Sequence, residues 1–392
     1  MAVTLSNADN ALKSLYLDVV SNHLNENVNP LLAKIKQSTN DVWGKEVRKL
    51  AIYGMNGGIG AGTEDGDLPA AQGNNYGQFV TTLKNLYGTI EISDKAIRAS
   101  ENNSGAFVNL LNAEMEGLIK SSSFNFGRML FGDGSGKIGA VKAISNGEIE
   151  LDTVQNVIEG MVVDFRDANG VEIAGATGRK ILTVDRASKK ITVSGTALTT
   201  TTAPAGSVVT VQGSFNNEIT GLKAIFDSSI TSLYGMDKAS NKWMNPYVLQ
   251  NAGDITEAKI QLALDTIEEN SGSGVNFIVC SWGVRRALQA LFATSKRNVD
   301  VMELSGGFKA ISYNGIPIVA DRFCPQGNMY MLNTEDFTLH QLCDWQWLCG
   351  DDGKILRQVA GKPVYTATLV KYADLICARP NGQGMISGIK EA

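Results

Sequence analysis

Histidine is nearly absent from this sequence, and the common catalytic signatures are missing as well. The 392 residues contain two histidines, His23 and His340, so a histidine-based acid–base mechanism has little to draw on. Neither the G-x-S-x-G turn of serine hydrolases nor the H-E-x-x-H zinc motif occurs, and no pair of carboxylates stands out. The sequence therefore predicts no catalytic, cofactor-binding or metal-binding residues.

Charge is also sparse. Charged residues make up 19% of the chain and the net charge is −5, whereas a typical globular protein has about 25% charged residues. No basic tail or basic stripe is present, which argues against direct binding to nucleic-acid phosphates. The first twenty residues lack the basic and apolar regions of a signal peptide. No apolar run is long enough for a membrane span, so no membrane partner is expected.

Disulfide and metal frameworks are not indicated. The five cysteines are an odd number and form no C-x-x-C pair, so they are interpreted as reduced thiols. A metal site built from His340, Cys343, Asp344 and Cys349 is the alternative. However, His340 and Cys343 are three residues apart in a predicted strand, which places them on opposite faces.

Glycine is plentiful in one stretch, AIYGMNGGIGAGT at residues 51–63. It resembles the start of a phosphate-binding loop, but Ala61 and Gly62 stand where the P-loop motif needs Lys and Ser or Thr. The acidic, proline-containing segment that follows supplies no helix N-terminus. A nucleotide-binding enzyme that uses Gly54–Gly62 is therefore the weaker alternative, and a glycine hinge in an extended loop is preferred.

The residues after this loop alternate with the period of a strand. Phe79, Thr81 and Leu83 fall on one side of an extended chain. Together with the residues before the loop they predict a two-stranded ribbon with a flexible, acidic tip. Because an isolated two-stranded ribbon is marginal in water, we expect it to lie on another subunit. The residues expected at that contact are Gly57, Gly58, Gly60, Glu64, Asp65, Tyr76, Phe79, Lys84 and Tyr87.

The remaining chain alternates between helical and strand-rich regions. Apolar residues at steps of three and four predict a long helix from Ser104 to about Phe131, ended by GDGSG. Short β-rich segments from 140 to 221, with a tight turn at Asn169–Gly170, predict a small barrel or sandwich inserted into the chain. Beyond it, Asp254 and Glu257 predict a capping box at the start of a helix. The pair Trp345 and Trp347 fits either a core or an interface.

Several strings resemble the major capsid proteins of tailed bacteriophages with the Hong Kong 97-type (HK97-like) fold. They are LKNLYGTIEISDKAIRASENNSGAFVNLLNAEMEGL (83–118), MLFGDGSG (129–136), SWGVRRALQAL (281–291), ELSGGFKAISYNGIPIVADRFCP (303–325) and GKPVYTATLVKYADLICARP (361–380). The resemblance implies an α+β fold with an N-arm, an extended β-loop over the neighbouring subunit, a peripheral domain with a long spine helix, and an axial domain. The β-rich segment departs from the minimal pattern as an inserted domain.

The resemblance also implies a division of the chain and a set of partners. The expected divisions are an N-terminal arm 1–49, extended loop 50–97, peripheral domain with spine helix 98–139, inserted β-rich domain 140–221, connector 222–249, axial domain 250–349 and closing strands 350–392. The expected partner is the chain itself, in pentamers and hexamers of an icosahedral head enclosing double-stranded DNA without sequence-specific binding. Scaffolding, portal and decoration proteins are expected too, with assembly in the host bacterial cytoplasm and a final location in the virion.

Two alternatives to a phage head remain at this point. An encapsulin-like shell around cargo enzymes has the same fold, and a β-rich adhesin is suggested by residues 140–221. Some relatives join a loop Lys to a neighbouring Asn, but no partner Asn is established for Lys84, so no cross-link is predicted.

Overall fold

The computed structural model describes residues 29–391 except 43, 45, 96–103, 295–300, 305–307, 350–352 and 354. The first 28 residues of the predicted N-arm lie outside this set. The helices are α1 (Ser104–Leu130), α2 (Leu222–Phe226), α3 (Glu257–Ser271) and α4 (Trp282–Thr294). Short 3₁₀ turns cover Leu32–Lys34, Lys242–Met244, Thr334–Asp336 and Pro380–Gly382.

Strands account for most of the regular structure. In the N-terminal part they are β1 (Lys36–Ser38), β2 (Glu46–Tyr53), β3 (Asn75–Thr82), β4 (Lys84–Ser93), β5 (Lys137–Ser145), β6 (Glu148–Leu151), β7 (Val162–Arg166), β8 (Arg179–Asp185), β9 (Lys190–Val193) and β10 (Val208–Val211). The others are β11 (Ser232–Leu233), β12 (Met236–Asp237), β13 (Tyr247–Leu249), β14 (Phe277–Cys280), β15 (Val301–Leu304), β16 (Phe308–Tyr313), β17 (Ile316–Ala320), β18 (Met329–Leu332), β19 (Phe337–Trp347), β20 (Arg357–Gln358), β21 (Val364–Cys377) and β22 (Gly384–Ile386).

A five-stranded sheet carries the long helix. Its order is β1-β19-β21-β20, and β4 also pairs with β21 over ten residues. The helix α1 crosses β4 at Gly88, where a Cβ atom would lie 2.9 Å from Leu118 Cδ1, so glycine permits this close approach. Phe126 of α1 packs edge-on against Trp345 of β19. The predicted spine helix is confirmed, and both Trp345 and Trp347 are buried in the core.

The second large sheet has seven strands. Its order is β13-β22-β18-β14-β17-β16-β15, with α3 against β13 and β22 and α4 against β17. The predicted capping box at Asp254 is wrong. The helix begins two residues later, where the extended backbone of Thr256 lets its hydroxyl accept a hydrogen bond from Lys259 N at 3.3 Å. Because residue 259 is Lys, the reciprocal half of a capping box does not form.

The predicted small barrel is also present. Its closed order is β10-β5-β6-β9-β8-β7, around a core that includes Val163, Phe165 and Ile191. The predicted Asn169–Gly170 turn lies after β7, and Gly170 has a φ of +85° that favours glycine. Gln155 Nε2 donates 2.8 Å hydrogen bonds to the carbonyl oxygens of Arg322 and Cys324. The barrel is therefore fixed against the part of the chain that leads into β18.

Strand pairing crosses the predicted domain limits. Residues 337–347, expected in the axial domain, form β19 of the five-stranded sheet. The terminal strand β22 lies in the seven-stranded sheet beside β13 and β18, although residues 350–392 were expected to close the peripheral domain. The chain thus passes between the two sheets more than once, and the limits of the domains stay a prediction.

Candidate functional site: an exposed ribbon and its loop

The strands β2 and β3 form a separate two-stranded ribbon. They pair antiparallel from Glu46 opposite Thr82 to Tyr53 opposite Asn75, and no other described strand joins them. Residues directly opposite each other share one face, and successive residues alternate between faces. The ribbon therefore has an inner face that includes Phe79 and an outer face that includes Ile52.

The inner face packs on this chain's own core. Val47, Ala51 and Phe79 are buried, and the ring of Tyr53 stacks on Trp243 with centroids 4.6 Å apart. Val80 N also donates a 2.9 Å hydrogen bond to the carbonyl of Tyr234. The expectation that the whole ribbon lacks support from its own chain is wrong for this stem. Tyr234 and Trp243, which lie more than 150 positions later in the sequence, supply the supporting aromatic surface.

Phe79 is a specific correction to the predicted contact residues. Its ring is completely buried, tilted against Tyr234 at 5.4 Å and stacked on Trp243 at 6.0 Å. A side chain enclosed in this way offers no surface to another subunit. Its alternation with Thr81 marked the strand face correctly, but periodicity does not say which body covers that face.

The outer face exposes large apolar side chains. Leu50 is 62% exposed, Ile52 65% and Tyr76 58%, and Ile52 lies directly opposite Tyr76 in the ribbon. Contiguous exposed apolar side chains of this kind are typical of surfaces that bind a partner. Tyr76, one of the predicted contact residues, is thus presented at the surface.

The loop that joins β2 to β3 continues this exposed surface. Every residue from 59 to 76 is exposed, and Leu68 reaches 90% exposure. Within the loop, Asn56 Nδ2 donates to Asn74 Oδ1 at 3.0 Å and Gly58 N donates to Asn56 Oδ1 at 2.9 Å. At its ends the loop is also hydrogen-bonded to Asn75 and Tyr76 of β3. The predicted residues Gly57, Gly58, Gly60, Glu64 and Asp65 all lie here.

The same loop carries a one-sided charge. Residues 54–74 contain Glu64, Asp65 and Asp67 and no Lys or Arg. The glycine-rich stretch Gly54–Gly62 leads into this acidic loop and then into β3, with no helix behind it. Such a segment supplies neither the helix dipole nor the cation that a phosphate group needs.

Lys84 and Tyr87 are not brought together with the loop. Both lie in β4, where Lys84 Nζ donates to the carbonyl of Asn216 at 3.3 Å. Tyr87 is exposed and meets Tyr372 edge-on with centroids 6.2 Å apart. These two predicted residues therefore belong to the surface of the five-stranded sheet.

A buried carboxyl group, missed from the sequence, anchors the ribbon at its base. Asp374 accepts hydrogen bonds from Thr81 Oγ1, from Thr220 N at 2.7 Å and from Leu375 N at 2.9 Å. Burial raises the pKa of Asp374, although these three donors oppose the rise. The residue ties β3, β21 and the chain after the barrel together. The sequence signal for this residue is a single acid within the largely apolar segment LVKYADLIC (369–377).

The residues of the metal-site alternative do not form a cluster. His340 is buried with neither ring nitrogen hydrogen-bonded, and burial lowers its pKa. Within the described residues there is no group of three or more His, Cys, Asp and Glu side chains that could hold a metal ion. None of the helices in that part of the chain is long and apolar enough to cross a membrane.

Part of the chain matches a known protein family. Residues 183–348, which are 166 of the 392 residues, match the family described as SU10 major capsid protein. The matched segment runs from β8 of the barrel to the end of β19 and so excludes the ribbon and α1. No curated protein matches the sequence.

Comparison with solved structures covers nearly the whole chain. A chain of the cyanophage A-1(L) capsid asymmetric unit has a TM-score of 0.56 at 13% identity, covering 94% of this chain and 92% of that one. Mycobacterium phage Adephagia gives 0.48 at 7% identity, covering 94% and 92%. The holo-SrpI encapsulin complex of Synechococcus elongatus gives 0.47 at 8%, covering 93% and 89%. The predicted α+β fold of the HK97-like capsid type is confirmed, as is the resemblance.

Proposed function

We propose that this chain, a phage major capsid protein with the HK97-like fold, builds a closed icosahedral head by laying its ribbon and loop on the next copy of itself. The observation that carries the proposal is the exposed surface formed by the outer face of the ribbon and the adjoining loop. Leu50, Ile52, Leu68 and Tyr76 are all more than half exposed on it.

A head-to-tail contact explains why one subunit leaves this surface open. A surface that binds a different patch on the next copy is heterologous, and heterologous contacts close into rings when the rotation between copies allows it. Rings of five and six copies, joined by further contacts, give an icosahedral shell. The large apolar residues would be buried only in that assembly, where such anchors contribute most of the binding energy.

The proposal extends to the contents and partners of the shell. The head encloses double-stranded DNA, and the net charge of −5 keeps the wall from holding DNA tightly through its phosphates. The chain acts as a structural subunit without enzymatic activity, assembled in the host cytoplasm with scaffolding, portal and decoration proteins. Glu64, Asp65 and Tyr76 are contact residues between subunits, together with Gly57, Gly58 and Gly60 of the loop, whereas Lys84 and Tyr87 face neighbours from β4.

Removing the loop tests the proposal. Deleting residues 57–73 leaves Asn56 and Asn74, which already hydrogen-bond to each other, so a two-glycine link closes the ribbon. We expect a folded protein, by circular dichroism, that no longer forms closed shells by sedimentation and electron microscopy. Normal shells from this deletion would overturn the proposed clasp.

A pair of point variants gives a finer comparison. Leu50→Ser combined with Ile52→Ser removes apolar surface from the outer face of the ribbon, and we expect it to reduce the yield of shells at least tenfold. The matched control is Val171→Ser combined with Leu182→Ser, which removes similarly exposed apolar side chains from the barrel. Equal yields from the two double variants would contradict the assignment of the ribbon face.

A further inference from the structure

An open groove lies where the barrel meets α1 and β4. Its volume is about 790 Å³, within the range of sites that bind small ligands. The C-terminal half of α1 and residues 85–88 of β4 form one side, and barrel residues 158–162 and 211–214 form the other. We call it the barrel groove, because the inserted domain supplies one of its walls.

The β4 side of the groove is suited to an extended polypeptide. Strand β4 pairs with β21 along one edge, and no described strand pairs with its other edge. An unpaired edge offers backbone donors and acceptors to an added chain segment. Phe124 and Met161 line the groove and are only partly buried, so apolar side chains are also available in it.

Two cations border the groove. Lys120 and Arg322 are exposed and line it, and neither forms an ion pair with another described residue. The guanidinium of Arg322 lies over the ring of Phe124, 4.9 Å from its centroid, which holds the charge at the groove. Of the two acids in the lining, Glu218 is paired with buried Arg128 and Glu159 is the other. The accessible charge of the lining is therefore positive by one unit.

The loop of the ribbon complements this groove in charge and in character. It carries three acids and no cation between residues 54 and 74, and its apolar side chains Met55, Ile59 and Leu68 are exposed. In its own chain the loop is hydrogen-bonded within itself and, at its ends, to Asn75 and Tyr76 of β3, and none of its residues lines the groove. A second copy of the chain therefore supplies the segment that fits.

We infer that the barrel groove receives the acidic loop, residues 54–74, of a neighbouring copy, an inference that rests on the proposed function. The loop acids lie against Lys120 and Arg322, and the loop apolar residues lie against Phe124 and Met161. The inserted barrel then has a defined role, because it forms one wall of a binding site between subunits.

A charge exchange tests the inference. Lys120→Glu with Arg322→Glu is expected to raise the protein concentration needed for shell assembly about tenfold or more, since close charge pairs control recognition. Glu64→Lys with Asp65→Lys in the loop should have a similar effect. Combining all four changes should restore assembly to within about threefold of the unmodified chain. Lys142→Glu with Lys180→Glu on exposed parts of the barrel is the matched control and should leave assembly unchanged.

The outcomes separate the inference from the proposed function. An unmodified chain that never forms shells, even when it is produced together with its scaffolding protein, contradicts the proposed function itself. Shells that form normally, with no effect of the Lys120 and Arg322 changes and no rescue by the exchange, overturn only the groove. If Arg322→Glu fails to fold, Lys120→Glu exchanged against Glu64→Lys gives the same comparison, because the exposed Lys120 packs against no ring.

Covalent trapping gives a second readout. In a chain with exposed Cys349 changed to Ser, Leu68→Cys and Glu159→Cys together should form disulfide-linked oligomers on mild oxidation of assembled shells. Leu68→Cys with Lys142→Cys is the control and should remain monomeric on a denaturing gel. Cross-linking only in the control pair would place the loop elsewhere on the neighbour.

Discussion

Burial of Asp321 gives a prediction about pH. Asp321 is 2% exposed, its Oδ1 accepts a 2.9 Å hydrogen bond from Phe323 N, and its Oδ2 has no partner among the described residues. Burial raises the pKa of this carboxyl to about 7 from an ordinary value of 3.8, although the Phe323 N–H and the Arg322 charge oppose the rise. The ionised form is thus disfavoured in the folded state.

The sign and size of the effect follow from the two pKa values. Between pH 4 and pH 7 the folded chain keeps a proton that the unfolded chain has lost, so the free energy of unfolding falls as the pH rises. About three pKa units at 1.36 kcal/mol each give a loss of up to about 4 kcal/mol, complete above pH 7. Asp321→Asn retains the acceptor for Phe323 N and removes the charge. We therefore expect this variant to be more stable than the unmodified chain at pH 8 by about 2–4 kcal/mol and similar to it at pH 4.

Urea unfolding of the unassembled chain, followed by tryptophan fluorescence at several pH values, measures this difference. Asp185→Asn is the control, because Asp185 lies on an exposed turn and its pKa is lowered by hydrogen bonds from Ser188 and Ala187. That variant should gain no stability at pH 8. Equal pH profiles for Asp321→Asn and the unmodified chain would refute the reasoning.

Two further predictions concern internal contacts. Glu218→Gln leaves Arg128 buried beside a neutral partner. We expect the free energy of unfolding to fall by about 3–5 kcal/mol, which is measured as a lower melting temperature. An unchanged melting temperature would mean that the ion pair does not stabilise the fold. Trp243→Ala removes the ring that stacks on Tyr53 and Phe79, so amide exchange in β2 and β3 should accelerate at least tenfold while the barrel amides stay protected. Equal acceleration in both regions would indicate global destabilisation and would argue against local support of the stem.

Much of the fold follows from local patterns in the sequence. The spine helix α1 and the Asn169–Gly170 turn of the barrel are marked by periodicity or by glycine, both of which act over a few residues. The helix start at Thr256 was misplaced because Asp254 and Thr256 are both capable caps, and backbone conformation decides between them. The alternation in β3 was read correctly as a strand.

The candidate site was less predictable, because its parts come from distant positions. The stem is covered by Tyr234 and Trp243, and its base is fixed by Asp374, almost 300 residues after Thr81. The barrel groove is lined by α1, β4 and the inserted barrel, and no local sequence pattern predicts that these segments lie together. The exposed acidic loop, in contrast, was found directly, since three acids and six glycines within Gly54–Asp67 leave no means to build a core.

The way the chain joins the barrel has a practical consequence. The strands by which it arrives and departs, β5 and β10, are hydrogen-bonded neighbours, with Val208 opposite Ala140 and Val209 opposite Gly139. The two ends of the barrel are therefore one strand spacing apart, as are the two ends of a short β-hairpin. The barrel is thus attached through two adjacent strands, so a folded unit whose termini lie side by side has the attachment geometry that this position requires.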